Sequence, residues 1–356
     1  MSKSVYIIAE AGVNHNGSID MAKELVCNAA QAGVNAIKFQ TFKADQLVTK
    51  QASKAEYQKK TSGDDTQYSM LKKLELSEKA HYELMELCSY EGIEFLSTPF
   101  DHKSLNFLVN DCGLKKLKIS SGDLTNAPFL YEIARFGVPV ILSTGMSTLG
   151  EIEEALGILA YGYMHLDPPS SESNIKQFYR SQEGQDILKQ KVSLLHCTTE
   201  YPTPFNEVNL KAISTLKNCF QLATGLSDHT PGIAVSVASI ALGATIIEKH
   251  FTLDKNLPGP DHQASLTPCE LKDLVLSIRQ VEQALGSGIK VPSKSEYKNI
   301  EVARKSLVAS KSVRKGDVWT LDNLTTKRPG TGKSPMLYWD LLGTPADRNY
   351  NKDEVL

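Results

Sequence analysis

Two apolar runs, 222 to 226 and 245 to 247, each break into a polar cluster that ends in histidine: Ser227-Asp228-His229-Thr230 after the first and Glu248-Lys249-His250 after the second. Pro231-Gly232 and the small apolar stretch between the two runs carry the start signal and length of a short helix, so the segment reads strand, helix, strand. Parallel neighbouring strands lie about 4.8 Å apart, which brings both imidazoles to the carboxyl edge of one sheet. Paired imidazoles suit a divalent ion that keeps water positions open. His229 and His250 are therefore the candidate metal ligands, with Glu10 and Asp261 near enough in the topology to join the ion or orient its waters. Taken singly, a histidine at a strand end more often caps a loop.

A second group suits an anion. Lys38, Lys118, Thr98, Ser121, Ser143 and Ser227 all fall at the ends of apolar runs, two of them beside the glycine amides of Gly122 and Gly145. Two cations and four hydroxyls converging on one mouth would hold a phosphate. Any one of them alone reads more simply as a snorkelling lysine or a capping hydroxyl. Glu10, Asp123 and His196 are the acid/base candidates. Cys197 alternates to the face opposite His196 and reads as a core thiol.

These residues must be positioned by repeated strand and helix units. The β-rich runs are 5–9, 36–39, 93–97, 116–119, 138–142, 192–195, 222–226 and 245–247, with amphipathic stretches such as 20–32, 77–90 and 148–161 between them. Strict alternation implies a parallel sheet with right-handed crossovers. Eight units in residues 1–285 match an α/β fold of the (β/α)8 TIM barrel type, whose active sites form at the carboxyl ends of the strands. A doubly wound open sheet is the alternative. The connection from Phe42 to Leu76, polar with Tyr57, Gln58, Gly63, Asp64 and Asp65, leaves strand two at that functional end and is expected to cover substrate. The stretch Gly162 to Gln190 enters strand six from the other face and reads as a surface insertion. Residues 286–297, rich in Gly, Pro and Ser, form a linker, and 298–356 form a small β-rich module that is marginal in size on its own.

With 39 basic and 41 acidic residues interspersed, the net charge of -2 provides no field for nucleic acid. No apolar run is long enough for a signal peptide or a membrane span, so a cytoplasmic protein is expected. The cysteines Cys27, Cys88, Cys112, Cys197, Cys219 and Cys269 are scattered without a Cys-x-x-Cys spacing, which indicates neither a disulfide framework nor a zinc knuckle. The residues alone thus describe a barrel enzyme acting on an anionic, phosphorylated small molecule with a divalent metal.

The ordered motifs Ile8-Ala9-Glu10-Ala11-Gly12-Val13-Asn14-His15-Asn16-Gly17, Lys38-Phe39-Gln40-Thr41, Ser97-Thr98-Pro99-Phe100 and Ser143-Thr144-Gly145-Met146 resemble those of the sialic acid synthase family. So do His196-Cys197-Thr198-Thr199-Glu200-Tyr201-Pro202, Ser227-Asp228-His229-Thr230, Glu248-Lys249-His250-Phe251-Thr252, Gly259-Pro260-Asp261 and Lys327-Arg328-Pro329-Gly330. The resemblance spans nearly the whole chain. It implies a barrel followed by an antifreeze-like SAF domain, and a domain-swapped homodimer in which each small domain covers the partner's barrel mouth. It also implies condensation of phosphoenolpyruvate with an N-acylated mannosamine-type aldose and water, giving a nine-carbon 2-keto acid and phosphate. By the matching motifs, manganese or magnesium would be held by His229 and His250. Phosphoenolpyruvate would be held by Lys38, Thr98, Lys118, Ser121, Ser143 and Ser227. Glu10, Asp123, Tyr201 and Asp261 would face the sugar or the water, and Arg328 would reach the N-acyl group from the neighbouring subunit. Many bacterial members carry Glu where this chain has Asp123, which withdraws the carboxylate by roughly one bond, enough to change which proton it reaches. The motifs lie nearest the branch that includes legionaminic acid synthases, whose acceptor is a 2,4-diacetamido-trideoxymannose rather than N-acetylmannosamine.

Two rival chemistries fit parts of the pattern. Lys38 or Lys118 could form an imine with pyruvate, as in a Schiff-base aldolase, and a related synthase would take a phosphorylated aldose. A purely ice- or carbohydrate-binding protein would leave eight polar strand ends without a use.

Overall fold

The computed structural model describes residues 4–54 and 66–356. They divide into two compact units, 1–285 and 286–356.

In the first unit eight parallel strands run in ring order: β1 Tyr6–Gly12, β2 Ala36–Thr41, β3 Glu94–Pro99, β4 Leu117–Ile119, β5 Val140–Ser143, β6 Val192–Cys197, β7 Ala223–Asp228 and β8 Ile246–His250. Hydrogen-bonded ladders join β1 to both β2 and β8, and β3 and β4 touch without a ladder, completing the (β/α)8 barrel. The main barrel helices are α1 Ile19–Ala32, α2 Glu78–Glu91, α3 His102–Asn106, α4 Ala127–Arg135, α5 Leu149–Met164, α6 Ala212–Phe220, α7 Ala234–Ala241 and α8 Pro268–Ala284. Their starts follow from sequence: Ser18 and Ser77 accept amide hydrogen bonds as N-caps, and Thr148 and Thr267 form capping boxes with Glu151 and Glu270. Gly33 ends α1 at φ 83°, a left-handed conformation in which a Cβ would be strained.

Strands alternate their side chains between two faces. Outward residues such as Ile7, Ile37, Leu226 and Ile247 pack against α1, α2 and α8 in one apolar cluster. Inward, Ile8, Ala36, Leu96, Ile141, Leu195 and Ile246 fill the barrel as a closed apolar layer. Tyr6 and Glu94, two residues before Ile8 and Leu96, and Lys116, just before β4, plug the amino end: Tyr6 donates to Glu94, and Lys116 Nζ lies 3.0 Å from Glu94 Oε2 and 4.3 Å from the centre of the Tyr6 ring. Two residues later on the same inner face come Glu10, Lys38, Thr98, Ser143, Cys197 and Glu248.

Most strands run one to three residues past the apolar runs seen in sequence. Apolarity ends where the inner face turns polar, but the backbone ladder continues: Glu10 pairs with His250 and Gln40 with Thr98. Residues just past the apolar runs, such as Glu10, Gln40, Thr98 and His250, therefore sit within the strands, where the backbone is held from both sides.

Residues 42–76 contribute the helices Ala44–Leu47 and Gln67–Leu74. Of the polar residues expected there, Tyr57, Gln58, Gly63, Asp64 and Asp65 lie outside the described residues. The stretch 162–190 holds two largely exposed helices, Glu172–Tyr179 and Gln182–Lys191. In the second unit β9 Ser306–Ala309 pairs antiparallel with β10 Leu324–Lys327. Single bridges join Val308 to Val355 and Val313 to Tyr350, around a core of Leu307, Val313, Trp319, Leu324 and Tyr350.

Candidate functional site

A cavity of about 510 Å³ opens above the apolar layer at the carboxyl ends of the strands. It is lined by Glu10, Lys38, Thr98, Lys118, Ser121, Ser143, Tyr201, Ser227, His229, His250 and Asp261, so the two groups inferred from sequence, one for a cation and one for an anion, share one chamber. Helix Gln67–Leu74, from the connection expected to cover substrate, adds Met70, Leu71 and Leu74 to the wall.

The anion group centres on a residue that the motif reading passed over. Glu248 is buried; its Oε1 lies 3.2 Å from Lys118 Nζ and accepts the Ser227 hydroxyl at 2.8 Å, and its Oε2 lies 3.7 Å from Lys38 Nζ. Lys38 also sits 2.5 Å from Glu10 Oε2 and donates to Thr98 at 3.1 Å. Two buried carboxylates thus share two buried ammonium groups. Burial raises Glu248, but Lys118 and Lys38 outweigh it and hold this carboxyl well below the usual range. Burial likewise raises Glu10, and the pull of Lys38 leaves it raised to about 7. Burial would lower Lys38, yet Glu10 and Glu248 together keep its ammonium above the ordinary value. The two carboxyls share the positive charge unequally, Glu248 held low and Glu10 raised, and their protons belong to the pair rather than to either residue. The sequence signal for Glu248 was its parity, two residues after the inward Ile246 and two before His250.

Ser121 and Ser143, the remaining candidate anion ligands, line the same cavity. The Gly145 amide donates to Ser121 Oγ at 2.9 Å, and a Cβ on Gly145 would lie 2.8 Å from Thr199 and 2.9 Å from Ser121 Oγ. That crowding accounts for glycine there. Ser143 Oγ is buried without a hydrogen-bond partner, an arrangement that costs free energy unless a ligand supplies one.

The two histidines stand with ring centres 5.2 Å apart, and the Tyr201 ring lies 4.1 Å from His229 and 5.5 Å from His250. His229 Nδ1 is 2.6 Å from the Thr198 carbonyl. A carbonyl only accepts, so Nδ1 carries the hydrogen and the Nε2 lone pair is free for a ligand. His250 Nδ1 is buried without a hydrogen-bond partner and lies 3.9 Å from Asp261 Oδ2. Burial pushes His229 down to about 4 and His250 well below its ordinary value, so both rings are neutral, as metal ligation requires. Burial raises Asp261 to about 6. Among the described residues no cluster of three or more His, Cys, Asp or Glu groups forms a closed metal cage. The donor set fits an ion that draws further ligands from water or substrate.

Two expected residues lie elsewhere. Asp123 sits in the turn Ser121–Asp123 beside the cavity rather than in its lining, is raised by burial, and accepts from Asn126 at 3.3 Å. Arg328 belongs to the second unit, where its Nε donates to the Ala303 carbonyl at 3.0 Å.

The acid/base reading of His196 is corrected. Its Nε2 is 2.6 Å from the Val208 carbonyl and its ring does not line the main cavity. Leu195 and Cys197 are the inward residues of β6, and Cys197 rather than His196 borders the chamber. Burial raises the Cys197 thiol, so it is no thiolate nucleophile. The polar motif Asn14-His15-Asn16 is also structural. Asn14 donates to Phe251 O and Ser265 Oγ, each at 2.9 Å, and Asn16 donates to Pro258 O at 2.9 Å, clasping the loop that carries Asp261.

The profile of the NeuB family matches residues 25–290. The chain is 52% identical over 355 residues to the N,N'-diacetyllegionaminic acid synthase of Campylobacter jejuni, covering 99% of each protein. It is 46% identical over 356 residues to the protein of the same name from Legionella pneumophila, covering 100% of this chain and 94% of that one. Among solved structures, the N-acetylneuraminic acid synthetase of Leptospira borgpetersenii, in complex with citrate, superposes with a TM-score of 0.68 at 33% identity, covering 84% of this chain and 91% of that one.

Proposed function

Because the chain belongs to the NeuB family of sialic acid synthases, we propose that it condenses phosphoenolpyruvate with an N-acylated mannose-type aldose and water to form a nine-carbon 2-keto acid and phosphate. The observation that carries this reading is the placement of Lys38 and Lys118 in the same chamber as two neutral imidazoles, His229 and His250. One wall suits a substrate with two anionic groups and the other a carbonyl acceptor. The two relatives at 52% and 46% identity carry the name N,N'-diacetyllegionaminic acid synthase, which supports a 2,4-diacetamido-trideoxymannose as acceptor.

In this reading Lys38, Lys118 and the hydroxyls of Thr98, Ser121, Ser143 and Ser227 hold the carboxylate and phosphate of phosphoenolpyruvate. Ser143 Oγ, unpartnered in the protein, gains its hydrogen bond from the substrate. A manganese or magnesium ion held by His229 and His250 would supply Lewis acidity to the acceptor aldehyde. Carbon C3 of the enol attacks the aldehyde carbon, water adds at C2, and phosphate leaves by C–O cleavage. Glu10, which lines the chamber and whose carboxyl burial raises, is placed to move a proton in these steps. Asp123, Tyr201 and Asp261 would orient the sugar or the water. The second unit acts as an antifreeze-like SAF domain of a homodimer, its Arg328 serving the acceptor of the partner subunit.

The test is phosphate release from phosphoenolpyruvate with manganese, against N-acetylmannosamine and 2,4-diacetamido-2,4,6-trideoxymannose. Release with the diacetamido sugar, at several-fold higher kcat/KM, is expected. No release with any N-acyl mannose-type aldose would overturn the assignment, as would borohydride trapping of pyruvate on Lys38 or Lys118.

A further inference from the structure

Behind the paired histidines, on the opposite face of the sheet, lies a buried ion pair that the reaction does not use. Asp228 and Lys249 are register partners on β7 and β8, and each immediately precedes one of the two histidines. Lys249 Nζ is 3.0 Å from Asp228 Oδ2, with side-chain exposures of 0% and 1%.

The carboxylate of Asp228 is fully used. Its Oδ1 accepts from the Thr230 amide and the Thr230 hydroxyl, each at 2.8 Å, and its Oδ2 accepts from Ser236 Oγ at 2.5 Å as well as from Lys249. Lys249 donates in addition to the Thr230 carbonyl at 2.5 Å. Both sides of Thr230, the residue after His229, are thus fastened to the pair. On the other side the Thr203 amide donates to the His229 carbonyl at 2.9 Å.

Beyond these polar partners, Leu226 and Ile247, the strand neighbours two residues before Asp228 and Lys249, belong to the apolar cluster under the helices. An apolar pair of similar volume in such a place is commonly as stabilising as buried charges, or more so. Stability alone therefore gives no reason for the charges, whereas directional bonds to one turn do give a reason.

We infer that the Asp228–Lys249 ion pair is a positioning device that fixes His229 against His250 and so sets the affinity of the divalent cation site. The inference rests on the proposed role of the two histidines. Neither Asp228 nor Lys249 touches substrate; both act through the backbone of the turn. Outer groups that orient metal ligands typically change metal affinity about 10- to 100-fold when removed.

The experiment measures manganese binding to the full-length protein, freed of metal, by electron paramagnetic resonance, alongside thermal unfolding and steady-state kinetics. The double variant Asp228→Asn/Lys249→Met removes both charges while keeping the side-chain lengths. It is expected to unfold cooperatively, to bind manganese roughly 10- to 100-fold more weakly, and to recover much of its kcat as manganese is raised, with the KM for phosphoenolpyruvate within about twofold of the parent. Ser236→Ala, which deletes one hydrogen bond and leaves both charges, should shift manganese affinity the same way by a smaller factor, and it decides the matter alone if the double variant does not fold. Manganese affinity unchanged in these variants would overturn the positioning role. Were His229→Ala also to bind manganese as the parent does, the cation site and this inference would fall together.

Discussion

Lys118 Nζ lies 3.2 Å from Glu248 Oε1, and the two side chains are only 8% and 4% exposed. The strands that bear them, β4 and β8, are far apart in the chain and stand on different sides of the barrel. If Lys38 and Lys118 hold an anionic substrate as proposed, that substrate would compete with Glu248 for the same ammonium groups.

Opposite effects of two substitutions follow. Lys118→Met should raise the KM for phosphoenolpyruvate about 10-fold or more, since a hydrogen bond to a charged group contributes roughly 1.5 to 3 kcal/mol. Glu248→Gln should leave that KM unchanged or lower, because it frees positive charge for the substrate. Steady-state kinetics at saturating acceptor distinguishes them; equal increases in both variants would show that the pair is a structural tie only.

Gly145 should not tolerate a methyl group. Gly145→Ala places a Cβ 2.8 Å from Thr199 and 2.9 Å from Ser121 Oγ, and overpacking of this kind costs about 1 to 3 kcal/mol. The expected outcome is a folded enzyme with several-fold weaker use of phosphoenolpyruvate and a nearly unchanged acceptor KM. A variant with parental kinetics would remove Ser121 from the anion wall.

Chelation should silence turnover reversibly. His229→Ala and His250→Ala should each lower kcat by about three orders of magnitude, in line with the several kcal/mol that a Lewis-acid metal supplies. Circular dichroism should show the barrel intact, since both rings line a cavity. Full activity in the presence of a chelator would exclude the metal role.

Acid should destabilise the barrel through His15. Burial pushes this ring down to about 4, and its Nδ1 accepts from the Gly17 amide. The folded state therefore holds the ring neutral while the unfolded chain protonates it near pH 6.5. The resulting stability is complete above pH 6.5 and is lost as pH falls toward 4, to a total of about 3 kcal/mol. His15→Asn keeps an acceptor for Gly17 without a titrating group. Its urea midpoint should fall less between pH 7 and 5 than that of the parent; parallel curves would show that His15 does not contribute.

Much of this protein is legible along the chain. Strand and helix alternation, the capping residues Ser18, Ser77, Thr148 and Thr267, and the break near residue 285 are local signals, since caps and periodicity act within a few residues. So is the polar character of each strand end, because an apolar barrel layer must give way to polar groups where a cavity begins. Side-chain parity was legible as well, yet motif reading alone placed His196 in the site and passed over Glu248. Counting in twos from Leu195 and Ile246 reverses both assignments.

What the sequence by itself determined is a set of polar residues at the carboxyl ends of eight strands. Only the closed ring decided which of them share charge. Lys38, Lys118, Glu10 and Glu248 come from four strands, and the ionisation of Lys38, Glu10 and Glu248 is set by burial and by partners that sequence separation conceals. The ring also placed Asp228 and Lys249 side by side behind the histidines. Electrostatic interaction depends on distance through the fold and on the exclusion of water, and neither quantity exists until the sheet has closed.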